Sequence, residues 1–314
     1  MASRVGQQFG NYQLIQLLGK GHFAEVYLGG HIHLGTLAAV KVLQTRLMDV
    51  DAFRTEARIV AHLIHPNIVR VLEFGIEDED PYLVMDFAPF GSLRQRHPKG
   101  ERIPLLTVIS YVEQVADALQ YAHDDRLVHR DVKPENMLVG RRNEVLLSDF
   151  GIATLAQSSP GQRLSDTSGT MLYIAPEQLR GRPCAASDQY SLGIVVYEWL
   201  CGMPPFTGPS ALEVAMKQLS EPPRSLRDTI PSISPAVEQV VMRAIAKDAG
   251  ARFESVQGFA TALKQASLLG ERSLPAQPSP AIEQPLAPTP ASGSLDVTLP
   301  SATGSVDETL PPLP

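Results

Sequence analysis

The chain has 314 residues, 44% of them hydrophobic and 19% charged, with a formal net charge of −7. This is the composition of an ordinary soluble globular protein, and it excludes a collagenous, disulfide-rich or wholly disordered chain. The acidic balance argues against a nucleic-acid partner, whose footprint is a basic excess or stripe. Cys184 and Cys201 are too few for a disulfide framework or a four-ligand zinc site, and are expected to be reduced packing residues. The start, MASRVGQQFG, has no apolar secretory region. The most apolar stretch, 193–203, is interrupted by Glu198 and is too short to span a bilayer. A soluble, cytoplasmic chain without a membrane span is the expectation.

Alternating apolar residues predict strands over 12–18, 25–29, 37–43, 68–74 and 82–87, separated by glycine and acidic turns. One helix is predicted among them, over 51–63, with Phe53, Ala57, Val60 and Ile64 at helical spacing. From Pro104 the pattern becomes helical, carried by Ile109, Val112, Ala116, Leu119 and Ala122. Two short strands, 137–139 and 145–147, follow a loop; helices are then predicted over 188–200, 211–219, 235–246 and 255–268. This is an α+β pattern in one body, 9–269: a small β-rich lobe of about 9–88 and a larger helical lobe of about 89–269. A cleft between lobes is a common ligand site.

The remainder, 270–314, reads as a disordered tail. Ten of the chain's 26 prolines lie in its last 44 residues, with no aromatic residue and five acids against one base. Such a segment cannot bury enough apolar surface to offset its ordering entropy. Within it, residues 293–300 nearly repeat as 304–311. Two copies are too few and a period of eleven residues too short for a solenoid, so a duplicated short linear element is expected.

Chemistry concentrates at three places. Leu18, Gly19, Lys20, Gly21, His22, Phe23 and Ala24 lie between the first two strands, where small residues let the backbone N–H groups approach a phosphate. Glycine turns between strands are common, so this motif alone is weak. On the third strand, Ala39 and Lys41 share a face while Val40 and Val42 supply the other. Glu56 in the next helix is a partner that would hold the ammonium against phosphate oxygens. The decisive stretch runs from Val128 through His129, Arg130, Asp131, Lys133, Glu135 and Asn136 to Val139, followed by Ser148, Asp149, Phe150 and Gly151. A merely structural loop needs no such mixture of polar groups beside a core.

At these residues the chain resembles the eukaryotic-type serine/threonine protein kinase family, and its bacterial members most. The elements occur in the family's order: glycine loop, Lys41, Glu56, Asp131, Asp149, then Ala175, Pro176 and Glu177, Asp188 and Arg252. The resemblance implies a bilobal kinase fold that transfers the γ-phosphate of ATP to Ser or Thr hydroxyls of protein substrates. Asp131 matches the catalytic base. Lys133 matches the lysine that steadies the γ-phosphate, and with it implies Ser/Thr rather than Tyr acceptors. Asn136 and Asp149 match the metal ligands for Mg²⁺, or Mn²⁺ in its place. Lys41 would contact the α- and β-phosphates, held by Glu56. Leu18, Val26 and Ala39 would pack on the adenine, Met85 matches the gatekeeper, and Asp86, Phe87 and Ala88 form the hinge. Glu177 with Arg252 resembles a buried ion pair, Asp188 a brace of the catalytic loop, and His129 a core histidine beside Phe150.

Regulation leaves alternatives open. Arg130 beside Asp131 is the arrangement of relatives controlled by loop phosphorylation, which makes Ser165 and Thr167 candidate phosphosites. Asp166 standing in for the phosphate, or an unmodified loop, are the other readings. Thr170 is expected to bridge Asp131 and Lys133, and Met171 replaces a proline frequent in the family. A transient dimer for trans-autophosphorylation belongs to the same expectation. In the tail, Thr298 and Thr309 are either autophosphorylation sites read by a phosphothreonine-binding partner or parts of a duplicated linker, the simpler reading. Many bacterial relatives continue past such a linker into a membrane helix and sensor domain, so the chain is either soluble or truncated. A pseudokinase scaffold is the alternative to an enzyme. The presence of Lys41, Glu56, Asp131, Asn136 and Asp149 argues against it. A small-molecule kinase of similar fold would lack the segment 169–177.

Overall fold

Six strands build one antiparallel sheet in the computed structural model, which describes residues 3–21, 24–43, 50–150 and 170–272. They are β1 (Gln8–Phe9), β2 (Tyr12–Lys20), β3 (Ala24–His31), β4 (Leu37–Leu43), β5 (Val71–Glu77) and β6 (Asp80–Asp86), ordered β1-β2-β3-β4-β6-β5. The β5–β6 hairpin turns on Asp78 and Glu79 at φ 46° and 69°, a two-residue turn whose positive φ values match the strand twist.

Register decides which residues share a face. Val26 lies opposite Lys41, Lys41 opposite Leu83, and Ala39 opposite Met85, so period two places all five together. The alternate residues, among them Tyr27, Val40, Val42, Tyr82 and Val84, are buried on the other face against Phe9, Tyr12 and Leu14. The sheet therefore has a dry outer face and an inner face that carries the lysine.

Helix α1 (Val50–Ala61) buries Ala57 and Val60 in the main core. Ile64, expected on the same stripe, is 67% exposed instead. The helix stops at Ala61, and Pro66 steers the residue before it away from helical backbone. The strand expected from 68 begins at Val71, because Ile68 forms a parallel bridge with Leu147 and the Val69 N–H donates to the Leu147 carbonyl at 2.9 Å. Those two residues stitch the sheet lobe to the helical lobe.

The second lobe contains α2 (Leu93–Arg96), α3 (Leu105–Asp124), the two-stranded β7 (Met137–Val139) and β8 (Val145–Leu147), and α4 (Pro176–Leu179). It continues with α5 (Ala185–Cys201), α6 (Ala211–Ser220), α7 (Leu226–Thr229), α8 (Pro235–Ala244) and α9 (Val256–Arg272). Every apolar position expected along α3 is buried. Helix α5 is buried on all sides from Ser187 to Cys201, as a helix without a polar face must be. It ends at Gly202, whose left-handed φ of 82° closes the last turn. One continuous core runs from Leu43 and Leu83 in the sheet to Val241 and Phe259 in the last helices.

Two expectations are corrected. Cys201 is buried, but Cys184 is exposed at the start of α5, so only one cysteine is a packing residue. Helix α9 extends to Arg272, three residues into the segment expected as tail. Residues 273–314, with Thr298 and Thr309, lie outside the described residues. Among the described residues no helix is long and apolar enough to cross a membrane.

Candidate active site

The segment between α3 and β7 is irregular up to one 3-10 turn at Pro134–Asn136, and its polar groups bond to one another and to other elements. Asp188, fully buried in α5, accepts from the backbone N–H of His129 and of Arg130, each at 2.8 Å, and from His123 Nε2 at 2.7 Å. Arg130 is held at φ 69°, a left-handed conformation costing about 1–3 kcal/mol for a non-glycine residue. The His129 ring stacks obliquely on Phe150, 4.5 Å between centroids. Its Nδ1 accepts from the Asp131 N–H at 3.2 Å, so the ring proton sits on Nε2 and is donated to the Ser148 carbonyl at 2.9 Å. One imidazole thus joins the loop of Asp131 to the strand end that carries Asp149.

Asp131 is the centre of the constellation. Its carboxylate meets Lys133 Nζ at 2.7 Å and accepts from Asn136 Nδ2 at 2.9 Å; the same amide donates to the Asp131 carbonyl at 2.8 Å. With its NH₂ group so engaged, Asn136 turns its amide oxygen the other way. Asp149, at φ 65°, faces Lys41 across the cleft at 2.6 Å. Burial by itself would raise the Asp149 carboxyl, but Lys41, with Lys133 and His129, outweighs it and holds the group below the usual carboxylate range. Asp149 and the oxygen of Asn136 are hard donors of the kind a divalent Mg²⁺ takes, so the donor chemistry fits that ion.

Around the lysine, the inner face brings together Val26 and Ala39, expected to pack on a purine, and Met85, expected as the gatekeeper. Met85 and Ala88 are buried, Asp86 is exposed, and the Asp86 N–H donates to the Arg70 carbonyl at 3.0 Å. Leu18 is 40% exposed at the end of β2, and the Gly21 N–H donates to the Ala24 carbonyl at 2.8 Å, closing the glycine loop at its base. The Lys20 side chain is directed to Glu25, 2.7 Å away. His22, Phe23, Gly151, Ser165, Asp166 and Thr167 lie outside the described residues, as do the side chains of Glu56 and Thr170.

Glu177 and Arg252 pair as expected, with bonds of 2.8 and 2.9 Å and the arginine side chain wholly buried. Burial would raise the Glu177 carboxyl, but Arg252 and the Ser187 hydroxyl hold it below its ordinary 4.5. A depressed folded pKa gives stability that is present above the unfolded value and lost as pH falls through the folded one. Melting temperature should therefore drop below about pH 4.5, and Glu177→Gln should flatten that slope. Thermal melts across an acid series check this; an unchanged slope in the variant would remove the assignment.

Sequence reasoning missed Arg94. Its guanidinium grips Glu198 through both outer nitrogens at 2.9 and 3.1 Å, donates from Nε to Glu135 at 2.9 Å, and reaches the Tyr173 hydroxyl at 2.5 Å. Tyr173 in turn donates to Glu198 at 2.5 Å. Burial, and then the Glu198 carboxylate, push the Tyr173 hydroxyl well above the usual tyrosine range. The signal was available: Glu198 interrupts the apolar run 192–201, and a carboxylate buried there needs a cationic partner. The result ties α2, the loop 125–136, α5 and the segment before α4 into one unit.

Comparison with known proteins shows the family. The model of the protein kinase domain matches residues 12–265. The serine/threonine-protein kinase PrkC of Bacillus subtilis is 34% identical over 262 residues, 82% of this chain and 40% of PrkC. Serine/threonine-protein kinase PknA of Mycobacterium tuberculosis is 38% identical over 274 residues, 84% of this chain and 63% of its own length. Pkn1 of Myxococcus xanthus, also a serine/threonine-protein kinase, is 38% identical over 273 residues, 83% of this chain and 39% of Pkn1. The chain spans less than two thirds of the length of each of these relatives. With the order of motifs, the two lobes and the family match in agreement, this chain belongs to the protein kinase family.

Proposed function

We propose that the chain is an ATP-dependent protein serine/threonine kinase, and that Lys41, Asp131, Lys133, Asn136 and Asp149 carry the transfer. The observation that carries this reading is the convergence of Asp131 with Lys133 and Asn136 in one loop, which His129 ties to the strand end whose Asp149 pairs with Lys41. Phosphoryl transfer demands positioning and neutralisation of charge more than covalent chemistry. Asp131 orients the acceptor hydroxyl and takes its proton as the oxygen attacks the γ-phosphorus and ADP leaves. Lys133 balances charge on the phosphoryl group, and Lys41 does so on the α- and β-phosphates. Asn136 and Asp149 would hold Mg²⁺, which when bound neutralises phosphate charge. Leu18, Val26, Ala39, Met85 and the 86–88 hinge enclose the base, and the backbone of 19–24 covers the phosphates.

Autophosphorylation at Ser165 or Thr167 is part of the proposal. Arg130 supports it, because its Nε is buried without a hydrogen-bond partner among the described residues, a cation prepared for an anion. The test uses the purified full chain with γ-labelled ATP, Mg²⁺ and a generic basic protein, followed by phosphoamino-acid analysis and site mapping. Label on serine and threonine is expected. Label confined to tyrosine, or none despite measurable ATP binding, overturns the reading; the second result would favour a scaffold.

A further inference from the structure

Glu25 has no part in the chemistry proposed above, yet it gathers three partners. It is buried at the start of β3, immediately after the last small residue of the glycine loop. Its carboxylate meets Lys20 Nζ at 2.7 Å, accepts from the Tyr27 hydroxyl at 2.8 Å, and faces Arg4 Nε at 3.7 Å. Lys20 and Glu25 are also direct cross-strand partners, so this ion pair sits where β2 and β3 part to enter the glycine loop. It lies on the outer face, since Glu25 alternates with Val26 on the inner one.

Arg4 adds a second connection. Its other end is fixed to Asp80, 2.5 Å away at the β5–β6 turn. The backbone of the N-terminal strap is bound to the sheet as well: Gly6 N–H to the Leu14 carbonyl at 2.8 Å, and Leu14 N–H to the Gln7 carbonyl at 2.9 Å. A strap bonded to the sheet, a guanidinium and a buried carboxylate therefore lead to the loop base. The Lys20–Glu25 pair alone would count for little, because the lysine is 53% exposed. Held from behind by Arg4 and Tyr27, the carboxylate stays in one place, and the loop base with it.

We propose that Glu25 is a positioning residue of the glycine loop, and that the N-terminal strap, through Arg4 and Glu25, sets how tightly that loop holds ATP. The proposal rests on reading the cleft as an ATP site. Positioning and a plain field effect make opposite predictions. By field alone, removing the Arg4 cation weakens binding of an anionic nucleotide, whereas removing the Glu25 or Asp80 carboxylate strengthens it. If the chain of contacts orients the loop, all three changes weaken binding.

The test is calorimetric titration of the full chain with Mg²⁺-ATP, for wild type and the Arg4→Ala, Glu25→Gln and Asp80→Asn variants, with kcat, KM and thermal melts alongside. Each single variant is expected to weaken ATP binding about three- to tenfold and to raise KM alike, with kcat within about twofold. The Arg4→Ala/Glu25→Gln double variant is expected to be no weaker than its weaker parent, since both act through one contact. Tighter binding in Glu25→Gln and Asp80→Asn beside weaker binding in Arg4→Ala would leave only the field. Wild-type affinity in all three, with lowered melting temperatures, would make the network merely structural. A wild-type chain that binds no ATP overturns the reading of the cleft itself, an outcome distinct from either.

Discussion

Asp131→Asn is expected to lower the turnover of phosphate transfer by about 10²–10⁴-fold, the usual worth of a positioned general base. The change is nearly isosteric. The side-chain oxygen can still meet Lys133, which now stands at 2.7 Å, and the loop keeps its Asp188 anchors. What disappears is a group able to take the proton of the acceptor hydroxyl. ATP affinity should therefore stay within about threefold while kcat collapses, the signature of an interaction used in the transition state. Lys41→Met differs in kind. It removes a charge that lies 2.6 Å from Asp149 and leaves that carboxylate without its cation. Turnover should fall about 10²–10³-fold, as when one preorganised electrostatic group is lost, and here ATP affinity should fall too. Single-turnover transfer with separate nucleotide titrations checks both variants. An Asp131→Asn chain retaining a tenth or more of wild-type turnover would remove Asp131 from its proposed role.

The sheet and the helices were legible because burial imposes a period. Val40 and Val42 alternate with Ala39 and Lys41, and the register of β4 against β3 and β6 places the two sets on opposite faces as that alternation demands. The stripe of α3 was equally plain, every expected position being buried. Misreadings fell where a long-range contact overrides local pattern. Ile68 looks like the first residue of a strand, but it pairs with Leu147 of the other lobe, and Ile64 is cut from its helix by the approach to Pro66. Polar partnerships across the fold were legible only in part. The Glu177–Arg252 pair and the Asp188 brace were expected through family resemblance, since no spacing brings positions 75 residues apart together. Arg94 escaped because three residues from three separate segments meet around its guanidinium, and only Glu198, an acid within the apolar run 192–201, betrayed it. Glu25 was passed over because it sits between two residues that face the cleft and itself faces away.

Asp188→Ala should be the most damaging change made outside the cleft. The carboxylate is fully buried and serves three donors, two of them backbone N–H groups that lose their acceptor in its absence. An orphaned buried donor costs about 1–3 kcal/mol, and the three share one acceptor, so a loss of at least about 3 kcal/mol is expected in urea unfolding. Activity should suffer separately. Arg130 is kept at φ 69° by its bond to Asp188, and when that bond goes, the strain is relieved by rotation of the backbone between His129 and Asp131. Moving a catalytic carboxylate by about 1 Å is enough for a loss of about 10²-fold. Asp188→Asn separates the two effects. It keeps the volume and one accepting oxygen but sets an NH₂ group against a backbone N–H or against His123, so folding should be partly restored while turnover stays low. The KM for ATP should hardly change in that variant, because Lys41 and the sheet that carries it do not touch Asp188. Wild-type kcat in a folded Asp188→Asn chain would mean that the loop keeps its shape without this carboxylate, and that the strain at Arg130 is held by the packing of His129 against Phe150 instead.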